Sequence, residues 1–316
     1  MKNYLSSVLT MVLLQIICLF TYVDLSAASP PITATEKKVD SLFILASSGE
    51  LKYRDLVTPA KDSLAAMGKS AVPRLIEKFD TQVARERHAI DEILVKIGAV
   101  AVPYLIKTMA DADGEKTSRI CYTLGNIKDS SAVESLVGVA SDSDWRGRSS
   151  AVEALGKIKD DRADKAVAGA LTDNDAAVRK SAAVACGQLK IAEAIPHLVH
   201  MLSDDFYGAR MCASETLVGF GETAIGPITD SLNSPDELLG NLGCTTLGMI
   251  GGDSAAVILG LQIGSPSPIR RALAVEGIYH SGSHSACGFV EILAQMEKDP
   301  MVLFFIKRAI EKYAAR

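Results

Sequence analysis

One pattern returns along the chain at intervals of 29 to 31 residues, and it constrains the fold more than any other feature. Its anchors are Leu64, Leu94, Leu124, Leu155, Cys186, Leu217, Leu247 and Glu276. Four residues before them stand Ala60, Ile90, Ile120, Ala151, Ala182, Ala213, Gly243 and Ala272. Three residues after them stand Met67, Ile97, Ile127, Ile158, Leu189, Phe220, Ile250 and Tyr279. Offsets of −4, 0 and +3 form one stripe on an α-helix but scatter across both faces of a strand. Each repeat therefore ends in an amphipathic helix.

A shorter helix precedes it, visible in Ala71-Val72-Pro73, Ala101-Val102-Pro103 and Ala194-Ile195-Pro196. Proline is tolerated in a first helical turn, where its missing N–H has no intrahelical partner, so these prolines mark helix starts. Polar turns such as Thr172-Asp173-Asn174-Asp175 and Ser203-Asp204-Asp205 separate the two helices and can cap the second. After the second helix comes Gly68, Gly98, Gly221 or Gly251, or a lysine at the same offset, Lys128, Lys159 or Lys190. Glycine suits a left-handed C-terminal residue, and lysine suits the negative end of the helix dipole.

From residue 36 to 316 the pattern gives about nine such pairs, the terminal ones resembling caps. A single pair cannot bury its stripe, so the pairs must stack, each leaning on its neighbours. The expected fold is all-α, a right-handed, armadillo-like α-solenoid. Composition agrees. Aromatic residues are 5% of the chain, which disfavours an all-β fold, and 48% hydrophobic residues supply ample core and exclude disorder. The net charge is −5 with no run of like charges, so nucleic acid is not an expected partner.

The N-terminus reads as an export signal. Lys2 precedes an apolar run, Val8 to Phe20, followed by the small residues Ser26, Ala27 and Ala28. The run is shorter than the roughly 20 residues of a spanning helix, so cleavage after Ala28 is expected. The expected organisation is a signal peptide over 1–28, a short linker over 29–35 and a repeat solenoid over 36–316. The exported chain would be periplasmic or secreted, touching membrane only if the segment stays uncleaved. Cys18 lacks the small residue that precedes a lipid-modified cysteine, so no lipoprotein is expected. The five remaining cysteines, Cys121, Cys186, Cys212, Cys244 and Cys287, form no C-x-x-C pair.

The run Asp173-x-x-x-x-Val178-Arg179-x-x-Ala182-Ala183-x-x-Cys186-Gly187 resembles a HEAT repeat. So does the segment from Asp142 through Arg148-x-x-Ala151-Val152-x-x-Leu155-Gly156, as does the Ala-Val-Pro-x-Leu helix start. The resemblance is to the short subtype associated with phycobilisome lyases and covers nearly all of residues 36–316. It implies the α-solenoid. For activity it implies a range, since such repeats build scaffolds, adaptors, bilin lyases and the di-iron deoxyhypusine hydroxylase. A HEAT-repeat hydroxylase should carry His-Glu pairs, and no His-Glu dipeptide occurs here. Neither a metal nor a cofactor is expected, nor are catalytic residues.

Arg87, Arg148, Arg179 and Arg210 each stand seven residues before an anchor, and Asp142, Asp173 and Asp204 stand six before three of them. This set reads either as an anion-binding ladder or as a network stitching repeat to repeat. The second satisfies the guanidinium groups better. Gly219-Phe220-Gly221-Glu222-Thr223-Ala224 matches a loose dinucleotide fingerprint, but a helix, not a strand, precedes it, so it reads as a turn. His197 with His200, and His280 with His284, lack the acidic partners of a metal site.

The remaining candidates are aromatic. Trp145 and Tyr207 each stand ten residues before an anchor, with Arg146 and Phe206 beside them, in turns leading into second helices and off the buried stripe. Aromatic and arginine side chains commonly anchor interfaces. The alternative is that they seal repeat junctions. The functional expectation is an exported, non-catalytic binding or scaffold protein that meets a protein partner through Trp145, Arg146, Phe206 and Tyr207. Other readings are an enzyme resembling the bilin lyases or the hydroxylase, and a membrane-tethered structural envelope component.

Overall fold

The structure, a computed structural model, describes residues 32–283 and 286–314. The expected signal segment over 1–28 and His284 lie outside the described residues. The described elements are α-helices and short 3-10 turns, which pair off nine times. In chain order the pairs are α1 (Ala34–Ala46) with α2 (Arg54–Ala66), α3 (Val72–Ile76) with α4 (Ala84–Ile97), and α5 (Val102–Met109) with α6 (Gly114–Ile127). Next come α7 (Val133–Val139) with α8 (Trp145–Ile158), α9 (Asp164–Gly169) with α10 (Ala176–Leu189), and α11 (Ile195–His200) with α12 (Tyr207–Phe220). The last are α13 (Glu222–Ser231) with α14 (Glu237–Ile250), α15 (Gly252–Gln262) with α16 (Pro268–Ser281), and α17 (Cys287–Met296) with α18 (Pro300–Ala314).

The first helix begins at Ala34, two residues before the expected onset at 36. Thr33 caps it with a capping box, its hydroxyl accepting from the Glu36 N–H while the Glu36 carboxylate accepts from the Thr33 N–H. Each second helix packs on the second helices before and after it, so the core is one continuous seam. The expected anchors Leu64, Leu94, Leu124, Leu155, Cys186, Leu217 and Leu247 are all fully buried in it. Each is the eleventh residue of its helix.

The eighth repeat corrects the expected register. The eleventh residue of α16 is Ile278, which is fully buried, whereas the Glu276 carboxylate reaches the surface. Ile278 is therefore the anchor, 31 residues after Leu247, and Ala274 fills the place expected of Ala272. The run Ala272-Leu273-Ala274-Val275 offers two helical stripes of similar hydrophobicity, and packing chooses between them. Gly248 and Gly277 meet where α14 crosses α16; a Cβ on Gly248 would lie 2.5 Å from the Cα of Gly277. Only a residue without a side chain allows that approach. The same contact recurs where Gly125 meets Ala154 and where Gly156 meets Ala185, so small residues set the spacing of the stack.

The caps carry a second correction. Lys128, Lys159 and Lys190 end α6, α8 and α10 at φ of 60°, 61° and 62°, in the left-handed conformation otherwise held here by glycine. Each donates its N–H to the anchor carbonyl of its own helix, as Gly221 and Gly251 do. The lysines are thus left-handed caps that bond the same carbonyl, and not merely complements to the dipole, whereas Gly98, Gly221 and Gly251 combine their positive φ with ψ of −133° to −166°. Gly221 also closes α12 and opens α13 at φ 62°, so the glycine-rich run at 219–224 turns the chain between helices.

Cys121, Cys186 and Cys244 are fully buried on α6, α10 and α14. Burial pushes the Cys121 and Cys186 thiols up to about 12 and Cys244 to about 11, so the reactive thiolate is scarce at neutral pH. Cys212 and Cys287 are partly exposed. A thiol-specific reagent at pH 8 is expected to consume Cys212 and Cys287 first and the buried three only as the repeats open. Simultaneous reaction of all five would contradict the packing.

Candidate functional site

The turn before each second helix sets what its N-terminal edge displays. Asp113, Asp144, Asp175 and Asp236 cap α6, α8, α10 and α14, each carboxylate accepting a helix N–H. Before α12 that place is taken by Phe206, which cannot accept; Asp204 accepts the Phe206 N–H instead, at 2.8 Å. The Phe206 ring folds back over Gly208, where a Cβ would lie 2.7 Å from it.

Trp145 and Tyr207 are the first residues of α8 and α12, at the same place in repeats two apart. They are helical rather than in the turn, and they point outward, Trp145 43% and Tyr207 65% exposed, with Phe206 at 45%. Arg146, also exposed, stacks 5.6 Å from the Trp145 ring centre, and the Arg210 guanidinium lies 5.5 Å from that of Tyr207. The structure thus forms two aromatic–arginine pairs on one edge of the stack. Sequence reasoning missed three residues that extend this edge. Leu238, Ile269 and Met301 are the second residues of α14, α16 and α18, and all are exposed. For Leu238 and Ile269 the signal is an apolar residue nine positions before the anchor, which the misplaced anchor at Glu276 concealed for Ile269.

The arginine–aspartate set stitches repeats together. Arg148 donates Nη1 to the carbonyls of Asp142 and Ser143 in its own turn, and Nε and Nη2 to the Asp173 carboxylate of the next repeat, both at 2.8 Å. Arg179 repeats this on Asp204 at 2.6 and 2.8 Å. Arg271, outside the expected set, does so on Glu297 at 2.6 and 3.0 Å. The Arg271 guanidinium holds Glu297 down at about 2 against desolvation, which acts the other way. Arg87 and Arg210 find no carboxylate of the next repeat among the described residues.

Near the C-terminus a cavity of about 320 Å³ opens between α14 and α16, lined by Thr245, Met249, Leu273, Glu276 and His280. Glu276 accepts from Arg308 at 3.1 and 3.3 Å and contacts His280 Nε2 at 3.0 Å. Helical spacing likewise brings His88 to Glu92, at 3.2 Å. These histidine–glutamate neighbours are four residues apart, so a search for adjacent pairs does not see them. Among the described residues no group of three or more His, Cys, Asp or Glu side chains could hold a metal ion. His197 and His200 are exposed on α11.

The nine stacked pairs define an α-solenoid of two-helix repeats. The chain contains HEAT repeats: residues 102–186 match HEAT repeats and residues 178–204 match the PBS lyase HEAT-like repeat. Solved structures resemble it in fold. A mutant of Kap121p aligns at 13% identity and a TM-score of 0.50, covering 86% of this chain and 37% of that one. YibA of Escherichia coli aligns at 15% identity and a TM-score of 0.49, covering 81% and 97%. Human deoxyhypusine hydroxylase in complex with glycerol aligns at 18% identity and a TM-score of 0.36, covering 80% and 100%. No curated protein matches the chain in sequence.

Proposed function

We propose that this is an exported, non-catalytic binding or scaffold protein that offers one edge of its HEAT-repeat stack to a protein partner. The observation that carries the reading is the row of exposed side chains on that edge, led by Trp145 with Arg146 and by Tyr207 with Phe206. Large aromatic residues kept out of the core, beside guanidinium groups, are the usual anchors of an interface. A solenoid presents such anchors over a long distance.

Affinity capture from the exported fraction supplies the partner, and two substitutions test the edge. Trp145→Ala and Tyr207→Ala should each weaken binding by about 2 kcal/mol or more while leaving Tm nearly unchanged. A fall in Tm with unchanged affinity would show instead that they seal repeat junctions.

Export rests on the charge, apolar run and small residues of positions 1–28. The mature chain is expected to begin near Ser29 and to need no detergent. Recovery only in membranes, with Lys2 intact, would favour the tethered envelope component.

A further inference from the structure

Arg148, Arg179, Arg210 and Arg271 each occupy the fourth position of a second helix and donate Nη1 to the carbonyls six and five residues earlier. In three of them Nε and Nη2 then take a carboxylate of the next repeat side-on, with distances of 2.6 to 3.0 Å. Arg210 is held in the same pose by the carbonyls of Asp204 and Asp205, at 2.6 and 3.2 Å. The place that holds Asp173, Asp204 and Glu297 in the other repeats, two residues before the one that precedes the second helix, is taken here by Ser234, whose Oγ accepts the Asp236 N–H at 3.2 Å as Asp173 accepts that of Asp175. Serine brings no carboxylate, and among the described residues no hydrogen bond or ion pair reaches Nε or Nη2 of Arg210. Tyr207 lies beside that guanidinium, with Phe206 and Leu238 exposed on the same edge.

We propose that Arg210 is the seat for a carboxylate brought by the partner, an Asp or Glu side chain whose apolar neighbours lie on Tyr207, Phe206 and Leu238. This rests on the docking reading above and names the chemistry of the docked segment. The chain itself shows the ligand three times, in Asp173, Asp204 and Glu297. The carbonyls that orient Arg210 remove most of the ordering cost of a bidentate pair, and its partial burial makes an unpaired edge costly. Arg87 makes no such pair either, although Asp111 stands two residues before the Asp113 cap, and it keeps a single carbonyl, that of Gln82 at 3.3 Å. With one carbonyl in place of two, its edge is not held in the pose shared by the other four.

Random peptides displayed on phage and panned against the full chain supply the probe, and fluorescence polarisation reads the affinity of an enriched peptide. The expected peptides carry an Asp or Glu beside aromatic or aliphatic residues. Arg210→Gln should weaken binding at least about tenfold, as should exchanging the peptide carboxylate for its amide, with little further loss when both are made. Ser234→Asp, which supplies a carboxylate from within, should block the peptide as well. Peptides that bind the Arg210→Gln chain as tightly as the native one, or that lose as much on Arg87→Gln, would overturn the carboxylate seat. If such peptides still weaken on Trp145→Ala and Tyr207→Ala, the docking edge survives that failure. If no peptide is enriched, or none of these substitutions matters, both readings fall.

Discussion

Arg179→Ala is expected to destabilise the protein by about 3–5 kcal/mol, because it strands a carboxylate that the fold has taken out of water. The Asp204 side chain is 7% exposed and that of Arg179 18%, so solvent screens the pair only weakly. The substitution also strips the Asp173 and Asn174 carbonyls of their donor. Its pH dependence follows from Asp204. Burial alone would raise that carboxyl, but hydrogen bonds from Arg179 and from the Phe206 N–H outweigh it and hold it below the ordinary aspartate value. A lowered folded-state pKa contributes stability that is present above the unfolded value and lost as pH falls through the folded one. Without Arg179 the carboxyl rises, and it can be buried neutral once protonated. The gap between the two proteins should therefore be widest at neutral pH and narrow as pH falls through about 4. Denaturant melts at pH 7 and pH 4 measure it, and an equal gap at both would show that lost packing, not charge, dominates.

Leu155→Ala should cost about 2–5 kcal/mol, as for other fully buried leucines, with the upper end reached if the stack cannot close over the cavity. Leu155 lies on α8, which packs on both α6 and α10, helices spaced by backbone contacts at Gly125 and Gly156. Those contacts leave little room to relax inward. Because each repeat touches only its neighbours, the loss should appear first as faster amide exchange in α6, α8 and α10, with α14 and α16 protected until global unfolding. Exchange rising equally along the whole chain would mean that the stack unfolds as one unit.

The repeat itself was legible because a stripe at −4, 0 and +3 has no economical solution except a helix packed on its like. Seven of eight anchors, the proline-marked first helices and the aspartate caps follow from single-helix chemistry, which depends only on nearby residues. The aromatic pair at Trp145 and Tyr207 was legible as residues off that stripe. Ile269 was not, since its place depends on whether Glu276 or Ile278 is the anchor.

What the tertiary structure decided are contacts between repeats. The eighth register turned on Gly248 meeting Gly277, a backbone approach that no pattern within one helix reveals. The left-handed lysines turned on the chain having to reverse at the same offset in every repeat, which outweighs the modest cost of that conformation. The open edge of Arg210 was hidden because its sequence context matches that of Arg148 and Arg179. Only the fold places Ser234 where a carboxylate stands elsewhere, because α14 begins 30 rather than 31 residues after α12. The sequence determined each repeat, whose stripe and caps are interactions within a turn or two of helix; stacking decided register, spacing and pairing, which are interactions between residues some 30 positions apart.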